Sequence, residues 1–163
     1  MSGPLPPNAT IGIVGGGQLG RMTALAAARL GYRCHVLSPE LDSPAGQVSS
    51  GTTLGDYEDP VALRDFAASV DVITFEFENV SAEGLDLLAS MKPVRPSPAV
   101  LRISQDRIAE KSFLNAAGAG TAPWRAVHNL ADLEAAVAEL GLPAILKTTR
   151  LGYDGKGQFL LRS

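Results

Sequence analysis

Apolar positions along the chain switch repeatedly between two periodicities. Thr10-Ile11-Gly12-Ile13-Val14 is a nearly unbroken β-branched run, the pattern of a parallel strand buried on both faces. It leads into Gly15-Gly16-Gly17-Gln18-Leu19-Gly20 and an apolar helix over residues 19–30, with Leu19, Met22, Leu25, Ala26 and Leu30 at near-helical spacing and Gly31 as the stop. Residues 33–37 predict a second strand that Ser38-Pro39-Glu40 halts, and residues 51–54 a third. Asp59-Pro60 starts a helix running to about Ser69. Residues 70–78 predict a fourth strand, with Ile73, Phe75 and Phe77 on one face and Val72, Thr74, Glu76 and Glu78 on the other. Ser81 caps a helix that Pro93 ends. This alternation predicts a doubly wound parallel α/β sheet through about residue 98.

Beyond it the texture changes. One helix is predicted over residues 98–117, carrying Leu101, Ile108 and Leu114, and a strand over Ala122–Val127. Asn129 opens a further helix, with Asp132 in a capping-box position, and Gly141 and Pro143 close it. Residues 143–148 and 158–161 read as strands around a glycine-rich hairpin loop, residues 150–157. The expected organisation is a flexible arm at 1–9, a Rossmann-like domain at 10–97, a linking helix at 98–120 and an incomplete α+β unit at 121–163.

Charge and composition narrow the classes. A net charge of −3 removes the overall basic field on which nucleic-acid binders rely. One cysteine, Cys34, forms no internal disulfide, and with only His35 and His128 beside it there is no zinc pattern. Cys34 reads as a small core residue and each histidine as satisfied or at the surface. No apolar run approaches the ~20 residues of a membrane span, and Met1–Pro7 lacks the regions of a signal peptide. A cytoplasmic protein with no membrane or nucleic-acid partner is expected.

Candidate chemistry lies in two glycine-rich loops and one strand end. Gly15, Gly17 and Gly20 satisfy G-x-G-x-x-G between a strand and a helix, where bare backbone and unpaired N–H groups suit a phosphate. Three readings stay open: tight packing alone, a dinucleotide whose ribose would meet Glu40 or Asp42, or another anionic ligand. Glu76 and Glu78, at the carboxyl end of a central strand, are placed to accept hydrogen bonds from ribose hydroxyls or an amine. The second loop is neither a Walker nor a kinase loop, since Arg150 and Gly157 stand where the former needs Gly and Ser or Thr. With Lys147 at its base and Lys156 at its tip it can fold over a triphosphate, or it can be an ordinary solvated hairpin.

Taken together, Gly15–Met22, Thr74-Phe75-Glu76-Phe77-Glu78-Asn79-Val80, Gln105-Asp106-Arg107 with Lys111, Ala122-Pro123-Trp124 and Gly152–Gln158 occur in the order found in the 5-(carboxyamino)imidazole ribonucleotide synthases. The chain resembles this family of ATP-grasp ligases over about residues 10–163. The resemblance implies a pre-ATP-grasp domain followed by part of an ATP-grasp lid. It also implies carboxylation of aminoimidazole ribonucleotide with bicarbonate and ATP, through carboxyphosphate, in purine biosynthesis. Arg107, Lys147 and the loop residues Gly152, Tyr153, Asp154, Gly155, Lys156, Gly157 and Gln158 would then bind ATP. Gly17, Gln18, Leu19 and Glu76 would bind aminoimidazole ribonucleotide, while Tyr153, Asp154 and Lys156 would be catalytic, with Asp154 acting on the amine and Lys156 on carboxyphosphate. Family members carry a further unit with the Mg2+ ligands, so the resemblance implies an N-terminal portion, inactive alone, of a homodimeric enzyme. The alternative is an NAD- or nucleotide-binding Rossmann module without ligase activity.

Overall fold

The computed structural model describes residues 3–152 and 155–162. Tyr153 and Asp154 lie outside the described residues. The chain divides into two compact units, residues 1–101 and 102–163.

In the first unit, β1 (Thr10–Val14), β2 (Arg33–Ser38), β3 (Gly51–Leu54) and β4 (Val72–Phe75) form a parallel sheet in the order β3-β2-β1-β4. Val94 bridges to Ile73 outside β4, beginning a further parallel pairing. Alternation within the strands divides their side chains between two layers. Ile13, Cys34 and Val36 face α1 (Gln18–Arg29), whose Ala24 and Ala27 pack on them. Val14, Leu37 and Ile73 face α2 (Pro60–Ala68) and α3 (Ala82–Met91), where Leu63, Phe66, Leu85 and Leu88 complete the larger core. Gly12 makes this approach possible, since a Cβ there would stand 2.7 Å from Phe66 Cζ. Phe66 is fully buried, a burial contributing about 1.5–3 kcal/mol by area.

Local capping sets the helix starts. Asp59 accepts from the Val61 amide at 2.8 Å with Pro60 in the first turn, and Ser81 from the Gly84 amide at 3.1 Å. The buried side of α1 differs from the apolar stripe in the sequence. Gly20, Ala24 and Ala27 meet the sheet, while Leu19, Met22, Leu25 and Leu30 are exposed. A parallel sheet crowded by β-branched residues admits the helix closely only along its small face.

The helix expected over residues 98–117 is two helices. α4 (Pro98–Gln105) ends where Asp106 adopts extended backbone, and its carboxylate accepts from the Ile108 and Ala109 amides, both at 2.9 Å, to start α5 (Arg107–Ala116). Within the second unit α6 (Leu130–Leu140) is capped by Asn129, and β5 (Ala144–Lys147) pairs antiparallel with β6 (Gln158–Leu161). Asp132 reaches back to the His128 amide at 2.9 Å, one residue beyond a capping box. The strand expected over Ala122–Val127 is absent. No neighbouring strand pairs with it among the described residues, and side chains hold this segment instead: Trp124 Nε1 donates to Asn115 Oδ1 at 3.0 Å, and Arg125 pairs with Glu139. No helix among the described residues is long and apolar enough to cross a membrane.

Candidate functional site

In the first unit the carboxyl ends of β1 and β4 meet at the point where strand order reverses, the place where open parallel sheets bind ligands. β4 is shorter than its sequence pattern and stops at Phe75, so Glu76 stands in the turn that follows. From there its half-buried carboxylate reaches the glycine-rich loop. Oε1 accepts from the Gly17 amide at 2.6 Å and Oε2 from the Gly20 amide. The loop is glycine-rich because this carboxylate lies against it. A Cβ at Gly15 would be 2.4 Å from Glu76 Cγ, at Gly17 2.8 Å from Oε1, and at Gly20 2.9 Å from Oε2. Gly15 also has φ +116°, which L side chains rarely adopt.

This geometry corrects the simple picture of an empty anion cradle. Two of the amides at the start of α1 already hold an anion, supplied by the chain itself, so a phosphate there is left the Gln18 and Leu19 amides between them. Gln18 and Leu19 occupy the first two positions of α1 with exposed side chains, and their amides have no partner among the described residues. Glu78 is exposed in the turn beyond Glu76, so the two carboxylates do not act on one strand face as their spacing suggested. Glu40 and Asp42 are exposed, and Asp42 accepts from Gln47 Nε2 at 3.1 Å.

Tyr57 belongs to this corner although nothing in the motif spacing points to it. Its ring meets Phe77 edge-on with centroids 6.0 Å apart, and Glu76 is near enough to influence its ionisation. Burial first, then the Glu76 charge, holds the phenol above its ordinary range, so it stays protonated at neutral pH. The sequence signal available was an aromatic residue just past a strand's carboxyl end, in Gly55-Asp56-Tyr57.

In the second unit a cleft of about 370 Å3 is lined by Arg107, Lys111, Trp124, Ile145 and Lys147 among others. Arg107 enters it from the first turn of α5, and its Nε is buried without a hydrogen-bond partner among the described residues. Lys147 ends β5 and is exposed. The Gln105-Asp106-Arg107 segment ties the base of the hairpin loop to the helix break: the Arg107 amide donates to the Thr149 carbonyl at 2.9 Å, and Arg150 to Gln105 Oε1 at 3.2 Å. The Thr148 amide donates to the Gly157 carbonyl at 2.9 Å, closing the loop over Gly152, Gly155 and the exposed Lys156, with Gln158 opposite Lys147. Tyr153 and Asp154, the proposed centre of the loop's chemistry, lie outside the described residues. Among the described residues no three His, Cys, Asp or Glu side chains gather to hold a metal ion.

Cys34 is buried and unpaired, and burial pushes its thiol up. His35 Nε2 is 2.9 Å from Thr53 Oγ1 inside the sheet, and burial lowers its pKa. Both are core residues rather than members of a site.

Residues 8–105 match the ribonucleotide synthetase preATP-grasp domain family and residues 112–163 the ATP-grasp domain family. An N5-carboxyaminoimidazole ribonucleotide synthase of Brucella melitensis is 55% identical over 98% of the chain, and that of Bacillus subtilis 44% over 96%. The chain spans 44% and 41% of their respective lengths. Among solved structures, the N5-carboxyaminoimidazole synthetase of Staphylococcus aureus complexed with ADP superposes with TM-score 0.93 at 42% identity, covering 98% of this chain and 43% of its own. The synthase of Aspergillus clavatus in complex with ADP and 5-aminoimidazole ribonucleotide gives 0.84 at 33%, covering 96% and 41%. The chain belongs to the ribonucleotide synthetase preATP-grasp family, as a relative of the N5-carboxyaminoimidazole ribonucleotide synthases.

Proposed function

We propose that this chain forms part of an N5-carboxyaminoimidazole ribonucleotide synthase, an ATP-grasp ligase that carboxylates aminoimidazole ribonucleotide. The observation that carries the reading is Glu76 seated on the Gly17 and Gly20 amides at the sheet's switch point. A carboxylate offers about four lone-pair sites, of which these amides occupy two. The remaining two suit the ribose hydroxyls of a ribonucleotide. The Gln18 and Leu19 amides, at the positive end of α1, suit its phosphate. The complex of the Aspergillus clavatus relative with ADP and 5-aminoimidazole ribonucleotide supports both ligands.

The second unit takes ATP in this reading. Arg107, with a buried Nε awaiting an acceptor, and Lys147 face a polyphosphate in the cleft, and the loop from Gly152 to Gln158 covers it. ATP transfers its terminal phosphoryl group to bicarbonate, giving ADP and carboxyphosphate. Carboxyphosphate breaks down to carbon dioxide and phosphate, and the amine adds to the carbon while losing a proton. Asp154 is assigned to receive or orient that proton and Lys156 to stabilise the anionic intermediate, with Tyr153 between the ligands. Mg2+ binding is assigned to chain beyond these residues, and the assembly is proposed to be a cytoplasmic homodimer.

The test is a titration of the 163-residue chain, followed by amide NMR, with aminoimidazole ribonucleotide, ADP and NADH separately. Shifts at Gln18 and Leu19 with the ribonucleotide, and at Arg107 and Lys147 with ADP, support the reading. Shifts at Gly15–Gly20 with NADH, and none with the other two, sink it in favour of a nucleotide-binding module without ligase chemistry.

A further inference from the structure

We infer that Arg21 is a positioning residue of the ribonucleotide site, orienting the Gly16–Gly17 peptide through the peptide that joins Pro44 to Ala45; this rests on the reading of that site given above. Two peptide planes lie in series here. The Arg21 guanidinium donates through Nη1 to the Pro44 carbonyl at 3.2 Å. The N–H at the other end of that peptide, on Ala45, donates to the Gly16 carbonyl at 2.9 Å. The N–H at the far end of the Gly16–Gly17 peptide then donates to Glu76 Oε1 at 2.6 Å. Every bond points the same way, from a cation to an anion, so each polarises the next and the two charges reinforce the chain from its ends.

Neither plane has room to turn. Ala45 is fully buried in the cluster of Ile13, Ala24 and Val36. A Cβ at Gly16 would stand 2.5 Å from Ser38 Oγ and 2.6 Å from Ser43 Cβ. Ser43, itself fully buried, accepts from the Gly46 amide at 3.2 Å and so shapes the turn that carries Ala45. Arg21 is steadied by Gln47 Oε1 at 2.8 Å, and Gln47 Nε2 donates to Asp42. Residues 42–47 lie between β2 and β3, so these bonds and the burial of Ala45, rather than sheet pairing, set where its N–H points. The Gly16–Gly17 plane is the last fixed one before the Gln18 and Leu19 amides, and its tilt sets their direction.

The experiment compares the wild-type chain with Arg21→Met, which keeps the stem and removes the donors, and with Arg21→Lys, which keeps a charged donor. Three readouts are taken: exchange and chemical shift of the Ala45 and Gly17 amides without ligand, the dissociation constant for aminoimidazole ribonucleotide, and that for ADP. One lost hydrogen bond corresponds to about a 3- to 10-fold effect. Arg21→Met is expected to speed Ala45 exchange, shift the Gly17 amide and weaken ribonucleotide binding by about that factor, while ADP binding is unchanged; Arg21→Lys is expected to recover part of each loss. Weaker ribonucleotide binding with the Ala45 and Gly17 amides unmoved means that Arg21 touches the ligand directly, which overturns the positioning role. A lower thermal midpoint with the ribonucleotide affinity unmoved means a purely structural role, which overturns the inference while the site reading stands. If the wild-type chain binds ADP but no ribonucleotide, the site reading fails first and the inference falls with it.

Discussion

Replacing Glu76 with glutamine tests whether the site is built around an internal anion. In the structure the carboxylate accepts from the Gly17 and Gly20 amides at the start of α1. Glutamine keeps one acceptor oxygen and so one of these bonds, now without charge. Its amide nitrogen turns a donor toward the other N–H. A hydrogen bond to a charged group contributes about 1.5–3 kcal/mol, and a half-buried donor left unmatched costs about 1–3 kcal/mol. Loss of the negative charge at the helix start adds about 0.3–1 kcal/mol. These partly overlap, so a net loss of about 2–4 kcal/mol is expected for the first unit. Hydrogen exchange at the Ile13 and Val36 amides, in the centre of the sheet, reads this loss as a lower opening free energy. The same samples followed by circular dichroism in urea give the midpoint shift. A variant within about 0.5 kcal/mol of wild type would refute the argument, because it would mean that water satisfies these amides as well as Glu76 does.

The other expectations are narrower. Gly15→Ala meets both φ +116° and a Cβ position 2.4 Å from Glu76 Cγ, whereas Gly31→Ala has φ +82° and open space. The Gly15 variant should therefore lose more than the roughly 1 kcal/mol expected of the Gly31 variant, measured by urea unfolding. His35 is neutral in the fold because burial lowers its pKa, so its contribution is complete above the unfolded value, about 6.5. That contribution declines as pH falls through 6.5 toward the lower folded value and is constant below it; His35→Gln should remove this slope from a stability–pH profile. Cys34, buried with its thiol raised, should react with a thiol reagent only as fast as the first unit opens, so labelling that keeps a free-thiol rate in the native protein would contradict its core position. Finally, the 163-residue chain alone is expected to form no ADP dependent on aminoimidazole ribonucleotide, checked by a coupled ADP assay against a blank.

What could be read early and what could not divides by distance along the chain. Asp59, Ser81 and Asn129 cap helices whose first amides lie two or three residues on, so their role is written in a short window. The break at Asp106 escaped because apolar positions keep helical spacing across it; an aspartate followed by Glu110 in the next turn was the available signal. The segment 122–127 has strand-like composition, but a strand exists only when another pairs with it. Trp124 and Arg125 find Asn115 and Glu139 instead.

The order of strands and helices, the two glycine-rich loops and the family are all carried by residues close together in sequence, since period, capping and turn chemistry act over a few positions. The use of the first loop is different. Glu76 meets Gly17 and Gly20 across more than fifty residues, and its charge acts on Tyr57 from about twenty residues away. Strand order β3-β2-β1-β4 brings these together. Only then does a motif that reads as an open cradle for an outside anion become one already holding the chain's own carboxylate. Close packing makes this difference, because a loop's free amides are defined by what the folded chain has placed against them.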